Sequence, residues 1–309
     1  MRAKLLSLSL VLAMCSFASC QDDSRAHPTN ISNLTIGGGG IEVTLPTDPM
    51  KLSPAELLGW VKRAATAVSQ YYGHFPAHEL TLRVRAGNGS GVRNGVTYPW
   101  GGGLILVSVG REATMDDLND DWVLTHEMIH LAFPNMDDDH HWIEEGISTY
   151  VEPVARVAAG QMQAEEMWRV FVRDMPKGEP QAGDRGLDNT HTWGRTYWGG
   201  ALFCLFADVG IREQTHNRYG LRDALRAIMD HGGVITQDWD IEEAFKVGDK
   251  GTGTKVLENL YAQMRDKPSP MDLDGLWKKL GISLQNGRVQ FNDKVPGSAI
   301  RKAITSPVR

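Results

Sequence analysis

Cysteine is scarce in this chain: its 309 residues include only Cys15, Cys20 and Cys204. Three thiols cannot staple a small disulfide scaffold, so the fold must rest on a packed core. Cys204 lies in the apolar helical run 201–206 and reads as a core thiol rather than a nucleophile. Long basic runs are missing and the formal net charge is -6 at pH 7, which argues against a nucleic-acid partner. The apolar stretch at residues 5–17 is too short to span a bilayer. What remains is an ordinary globular composition, 41% hydrophobic and 23% charged. The length suits one large domain or two small ones.

The amino terminus has the layout of a targeting segment. Met1-Arg2-Ala3-Lys4 is positive, the short apolar stretch follows, and Phe17-Ala18-Ser19-Cys20 resembles a bacterial lipobox. In that motif cleavage precedes a Cys that then receives lipid. The resemblance implies a signal peptide over residues 1–20, membrane contact through a lipidated Cys20, and a place in the bacterial cell envelope. Gln21, where an Asp would signal inner-membrane retention, implies the outer membrane. Ordinary signal cleavage near Cys20 is the alternative. Residues 21 to about 36 are polar and aperiodic and read as a tether, and Gly37 to Gly40 as a joint. Ile41-Glu42-Val43-Thr44-Leu45 alternates as an edge strand would, so residues 21–50 are expected to hold a tether and first strand.

The chemistry sits in Thr125-His126-Glu127-Met128-Ile129-His130. On a helix, His126 and His130 are one turn apart and point to one face, where two imidazoles can grip one metal ion. Glu127 lies beside that ion, placed to accept a proton from water. This is the His-Glu-x-x-His pattern of zinc peptidases. The flanks Trp122-Val123-Leu124 and Leu131-Ala132-Phe133 are apolar, so the helix is expected to be buried, and Pro134 stops it. Burying two His and a Glu without partners is costly. A pair of hydrogen-bonded core histidines is the plainer alternative.

A catalytic zinc needs a third protein ligand and an open position. Asp137, Asp138, Asp139, His140, His141, Glu144 and Glu145 are the nearby candidates. Residues 142–151 read as a second helix, on which Glu144 and Glu145 sit about 100° apart and cannot both face the metal. Gly146 leaves room for two helices to approach closely. Asp116, Asp117, Asp120 and Asp121 read as caps and dipole partners in the first turns of the metal helix.

The run Trp142-Ile143-Glu144-Glu145-Gly146-Ile147-Ser148-Thr149-Tyr150 resembles the Trp-Leu-x-Glu-Gly-Phe-Ala-x-Tyr segment of gluzincin metallopeptidases, nearest the aminopeptidase-N-like branch. The resemblance implies that Glu145 joins His126 and His130 around one Zn(2+) per chain. The gap from His130 to Glu145 is shorter than the usual aminopeptidase spacing, which implies a tight loop between the helices. Tyr197-Trp198-Gly199-Gly200 resembles that branch's Tyr-x-x-Gly segment. It implies that Tyr197 donates to the oxyanion of the tetrahedral intermediate. Packing against Trp193 or Trp198 is the alternative role. In this family the edge strand before the metal helix runs along the substrate, a role open to the stretch at residues 98–109; a glycine-rich loop entering a core strand is the other reading. The branch's Gly-x-Met-Glu-Asn motif, whose Glu holds a substrate's free amine, is absent. Arg195 reads either as a substrate-carboxylate ligand or as a surface charge.

Elsewhere, residues 54–72 have the apolar spacing of an amphipathic helix with Ser53 as cap, Leu80-Thr81-Leu82-Arg83-Val84 alternates as a strand, and residues 87–95 read as loop. The chain beyond Ile211 is mostly helical in pattern, with no repeat and no catalytic motif. The expected architecture is α+β: a thermolysin-like zinc peptidase core with a small N-terminal sheet and a helical C-terminal lobe. The catalytic domain is expected over residues 51–285 and a C-terminal extension over residues 286–309. The expected function is hydrolysis of a peptide or protein substrate, with Glu127 and Tyr197 catalytic and zinc on His126, His130 and Glu145. The competing reading is a surface-anchored binding protein that keeps the metal site for structure.

Overall fold

A computed structural model describes residues 30–307. The expected signal peptide, Cys20 with its lipid, and the tether up to residue 29 lie outside the described residues. Strands β1 (Ile31–Ile36) and β2 (Gly39–Thr44) form a hairpin. It turns on Gly37 and Gly38, whose φ angles of 55° and 87° are open to glycine. The residues read as the end of a tether therefore pair as a strand from Ile31, and residues 39–44 lie one strand in from the edge. The polar side chains of Ser32, Asn33 and Thr35 hid this strand, because only one face of β1 is half-buried.

Helix α1 (Pro54–Tyr72) has the bounds its sequence predicts. Ser53 and Glu56 cap each other's backbone at the start, and Gly73 closes the end at φ 93°. Strands β3 (Glu79–Gly87), β4 (Val92–Tyr98) and β5 (Leu104–Gly110) complete a five-stranded sheet of order β1-β2-β3-β5-β4. β2, β3 and β5 run parallel, while β1 and β4 are antiparallel edges. The inward residues Ile41, Val43, Leu82, Val84, Ile105 and Val107 join Trp60, Val61, Ala64 and Val68 of α1 in one core.

Helices α2 (Met115–Asp120), α3 (Val123–His130) and α4 (His141–Ala158) follow. Asp116, Asp117 and Asp120 belong to α2 and not to the metal helix, contrary to the sequence reading. Only Asp121 serves α3: its carboxylate accepts from the N–H groups of Val123 and Leu124 at 2.9 and 3.2 Å, and from Trp60 Nε1 at 2.9 Å. The C-terminal part holds α5 (Ala164–Asp174), α6 (Gly200–Gln214), α7 (Leu221–Asp230), α8 (Ile241–Thr252), α9 (Val256–Met264) and α10 (Leu273–Leu280). A hairpin of β6 (Ile282–Gln285) and β7 (Arg288–Phe291) precedes α11 (Ser298–Ile304). Arg301 of α11 donates to the Leu280 carbonyl at 2.8 Å, tying the last helix to α10. Cys204 is buried and unbridged. Among the described residues no helix is long and apolar enough to cross a membrane.

Two glycines set how α4 and α6 cross. A Cβ on Gly146 would lie 2.4 Å from Gly200 Cα, and one on Gly200 would lie 2.1 Å from the Trp142 carbonyl. The close approach read into Gly146 from sequence is present, and its partner is α6.

Candidate metal centre and its cleft

Helix α3 is buried among α1, α4 and strand β4, and it presents His126 and His130 to α4. Their rings lie 4.9 Å apart at 78°. Glu145, in the second turn of α4, meets them: its Oε2 is 3.0 Å from His126 Nε2 and 3.7 Å from His130 Nε2. One ligand atom from each of the three residues falls within a 4.8 Å cluster. Two imidazoles and one carboxylate brought together are the donor set of a hydrolytic zinc site with a position to spare, so these residues fit a zinc ion. Burial, with help from His126, pushes the His130 imidazole down to about 3, which keeps it in the neutral form that a metal requires. Burial works to raise the Glu145 carboxyl, but the imidazoles of His126, His141 and His130 outweigh it and hold the group well below the usual range.

His140, His141 and Glu144 have partners of their own, and Asp137, Asp138 and Asp139 do not join the three-residue cluster. His140 Nε2 is 3.1 Å from the Tyr261 hydroxyl. Glu144 accepts from the Met136 N–H at 3.3 Å and lies 3.1 Å from His141 Nδ1. His141 Nε2 is 3.3 Å from Glu145 Oε1, the oxygen turned away from the His126–His130 pair. Those contacts with Glu144 and Glu145 lift the His141 imidazole to about 10.

Glu127 points into the same cleft beside the cluster. Strand β4 covers it at very short range: a Cβ on Gly95 would lie 2.5 Å from Glu127 Cγ. Thr97, two residues on, places its hydroxyl 2.6 Å from Glu127 Oε2. Burial raises the Glu127 carboxyl, and His126 and the Thr97 hydroxyl only partly oppose it. The sequence pattern does not single out Gly95 and Thr97. Asn94-Gly95 reads as a turn, although Val92, Val96, Thr97 and Tyr98 carry a strand signal around it. The edge strand beside the metal helix is thus β4, while β5, the expected strand, is internal.

Tyr197 enters from a π-helical segment, Gly194–Gly199, that leads into α6. Sequence spacing predicts a plain helix here. The extra residue per turn reorients this segment, a device common near functional sites. The Tyr197 ring stacks 6.3 Å from His126 and 5.8 Å from Trp193. Burial, then the charges of Glu145 and Glu127, push its hydroxyl up to about 12, so it stays protonated at neutral pH. Arg195 is neither a substrate ligand nor a surface charge: it is 2% exposed, 2.7 Å from Asp184, and donates to the Gly178 carbonyl. The whole cleft has a volume of about 560 Å³ and is walled by residues 93–97, Trp122, Ile235 and Tyr197.

No protein-family model matches the chain, and no curated protein matches its sequence. Solved structures do match. An aminopeptidase N family protein from Idiomarina loihiensis aligns at a TM-score of 0.62 and 14% identity, over 82% of this chain and 49% of that one. The fold resembles the M1 zinc metallopeptidases. Two further matches are M1 zinc metallopeptidase structures from Deinococcus radiodurans. One has a TM-score of 0.50 at 14% identity, over 78% of this chain and 53% of that one. The other, a variant bound to a Tyr-Ser-Ala substrate, has a TM-score of 0.51 at 13% identity, over 78% and 52%. The chain spans about half the length of these structures. At such identity the likeness establishes the fold, a mixed α+β arrangement of one five-stranded sheet and many helices.

Proposed function

We propose that this chain is a zinc-dependent peptidase of the gluzincin type, with a thermolysin-like core. The observation that carries the proposal is the joint placement of five side chains in one cleft. His126, His130 and Glu145 cluster for a metal, Glu127 stands beside them, and Tyr197 stands across. A zinc ion held there would supply Lewis acidity, lowering the pKa of an adjacent water and polarising the scissile carbonyl. Glu127, steadied by Thr97, takes the proton of the attacking water and returns it to the leaving amine. Tyr197, a donor at neutral pH, hydrogen-bonds the oxyanion of the tetrahedral intermediate. The open edge of β4 offers its backbone to an extended peptide running through the cleft.

The Gly-x-Met-Glu-Asn motif, whose Glu holds a free amine in the aminopeptidase-N-like branch, is absent from the chain. Its absence supports a substrate whose amino end is blocked or remote. The test is hydrolysis of a peptide library, free and N-acetylated, by the zinc-loaded chain beside Glu127→Gln. Cleavage of acetylated peptides by the parent and a loss of several orders of magnitude in the variant are expected. Hydrolysis equal in both would sink the catalytic reading and favour a binding protein that keeps a metal.

The lipobox-like Phe17-Ala18-Ser19-Cys20 supports placing the enzyme in the bacterial envelope, anchored through a lipidated Cys20. Fatty-acid labelling that persists in Cys20→Ser would contradict the anchor.

A further inference from the structure

A second cavity opens beside the metal cleft. It has a volume of about 400 Å³ and shares Trp122, His126 and Tyr197 with the cleft. Three tryptophans converge on it: Trp122, just before α3, and Trp193 and Trp198, on either side of Tyr197. Two of them keep their indoles in water, Trp122 at 53% and Trp193 at 60% exposure. Leaving two indoles exposed forgoes the stabilisation that burial would bring, and exposed aromatic surface beside a cleft marks a binding site. Both rings are braced against the metal cleft. Trp122 stands edge-on to His126 at 5.5 Å, and Trp193 stacks on Tyr197 at 5.8 Å.

Most charged groups around this chamber are paired with one another. Arg156 pairs with Glu152 at 2.9 Å, Arg169 with Glu166 at 3.1 Å, and Lys177 with Asp174 at 2.8 Å. Arg173 also binds Asp174. Lys177 Nζ further lies 5.8 Å from the ring centres of both Trp193 and Trp198, which holds the two indoles in register. A charged substrate side chain entering there would lose its hydration and, Asp120 at the rim apart, find its partners already taken. A ring would find indole faces, and aromatic pairs at such spacings add to simple area burial. The volume is ample for one ring system, since a water molecule takes only about 30 Å³.

We propose that this chamber selects the substrate: it receives an aromatic side chain, Phe, Tyr or Trp, next to the bond that is cut, with Trp193 as its specificity-determining wall. The proposal rests on the peptidase reading above and adds the substrate class to it. One feature competes: Asp120 at the rim has no ion-pair partner among the described residues, so a basic side chain is the alternative occupant.

The test uses the full chain, zinc-loaded and silenced by Glu127→Gln, titrated calorimetrically with three peptides blocked at both ends. Their sequences are Ala-Phe-Ala, Ala-Ala-Ala and Ala-Arg-Ala. The Phe peptide is expected to bind at least tenfold more tightly than the other two. Adding Trp193→Ala should bring the three within about twofold, while Trp193→Phe should restore most of the preference. Trp193 is exposed, and thermal denaturation checks that each variant is folded. Equal affinities for the three peptides, or a preference for Arg, would overturn the chamber while leaving the peptidase reading intact. A preference for Phe that survives Trp193→Ala would overturn the role of that wall. Failure of all three peptides to bind would overturn the chamber, while hydrolysis of the peptide library by the parent decides the peptidase reading separately.

Discussion

At the scale of single residues, the cleft depends on contacts that leave almost no slack. Gly95 is the sharpest case, because any side chain there collides with the carbon stem of Glu127. Gly95→Ala should displace the carboxylate and cost roughly a hundredfold in kcat, as an ångström of misplacement does elsewhere. Zinc content and melting temperature should change little. Full activity in that variant would mean that Glu127 is not the base or that β4 sits farther away. His141 has a different role. It holds Glu145 Oε1 at 3.3 Å, which leaves Oε2 toward the imidazoles. His141→Ala should weaken zinc affinity by about 10–100-fold, the usual cost of losing an outer partner of a metal ligand. The same residue sets a pH dependence in the metal-free protein. Its folded pKa, lifted to about 10 by Glu144 and Glu145, lies above its ordinary value of 6.5. Between those values the folded state holds the extra proton. The stabilisation is therefore whole below about pH 6.5 and fades as pH rises toward 10. Melting curves of chelated protein should fall over that window, and His141→Gln should flatten the fall.

At the scale of elements, the site is the meeting of α3, α4, β4 and the π-helical entry to α6. The crossing of α4 and α6 at Gly146 and Gly200 holds Glu145 against the Tyr197 segment. Gly146→Ala forces backbone against backbone and should destabilise by about 1–3 kcal/mol or more, measurable by urea denaturation. A neutral result would mean the helices can part without cost. Much of this level is legible from residue order. α1 announces itself through Ser53, Pro54 and a repeating apolar face. The pair of imidazoles follows from helical periodicity alone, and Gly146 signals close packing. Three features were opaque. β4 is broken in pattern by Asn94-Gly95, yet that glycine is what lets the strand lie on Glu127. The π-helical segment has no periodic signature of its own, since one inserted residue looks like an ordinary helix. Arg195 could not be placed because its partner Asp184 comes from an irregular loop that only the fold brings to 2.7 Å.

At the scale of the whole molecule, the β4 edge of the sheet and the helical lobe form the two sides of the metal cleft, and the resident metal would join α3 to α4. Such a metal also binds the folded state in preference to the unfolded one. Free zinc at a hundredfold excess over its dissociation constant should add about 2.7 kcal/mol of stability. Melting with and without a chelator checks this, and identical curves would deny a resident ion. The fold resembles M1 zinc metallopeptidases over about half their length. The most direct single measurement is zinc per folded chain, in the parent beside Glu145→Ala and Glu127→Gln. About one zinc in the parent and in Glu127→Gln, with clearly less in Glu145→Ala, is the predicted result. Folded parent without zinc, or zinc retained equally in all three, would contradict the site built on His126, His130 and Glu145.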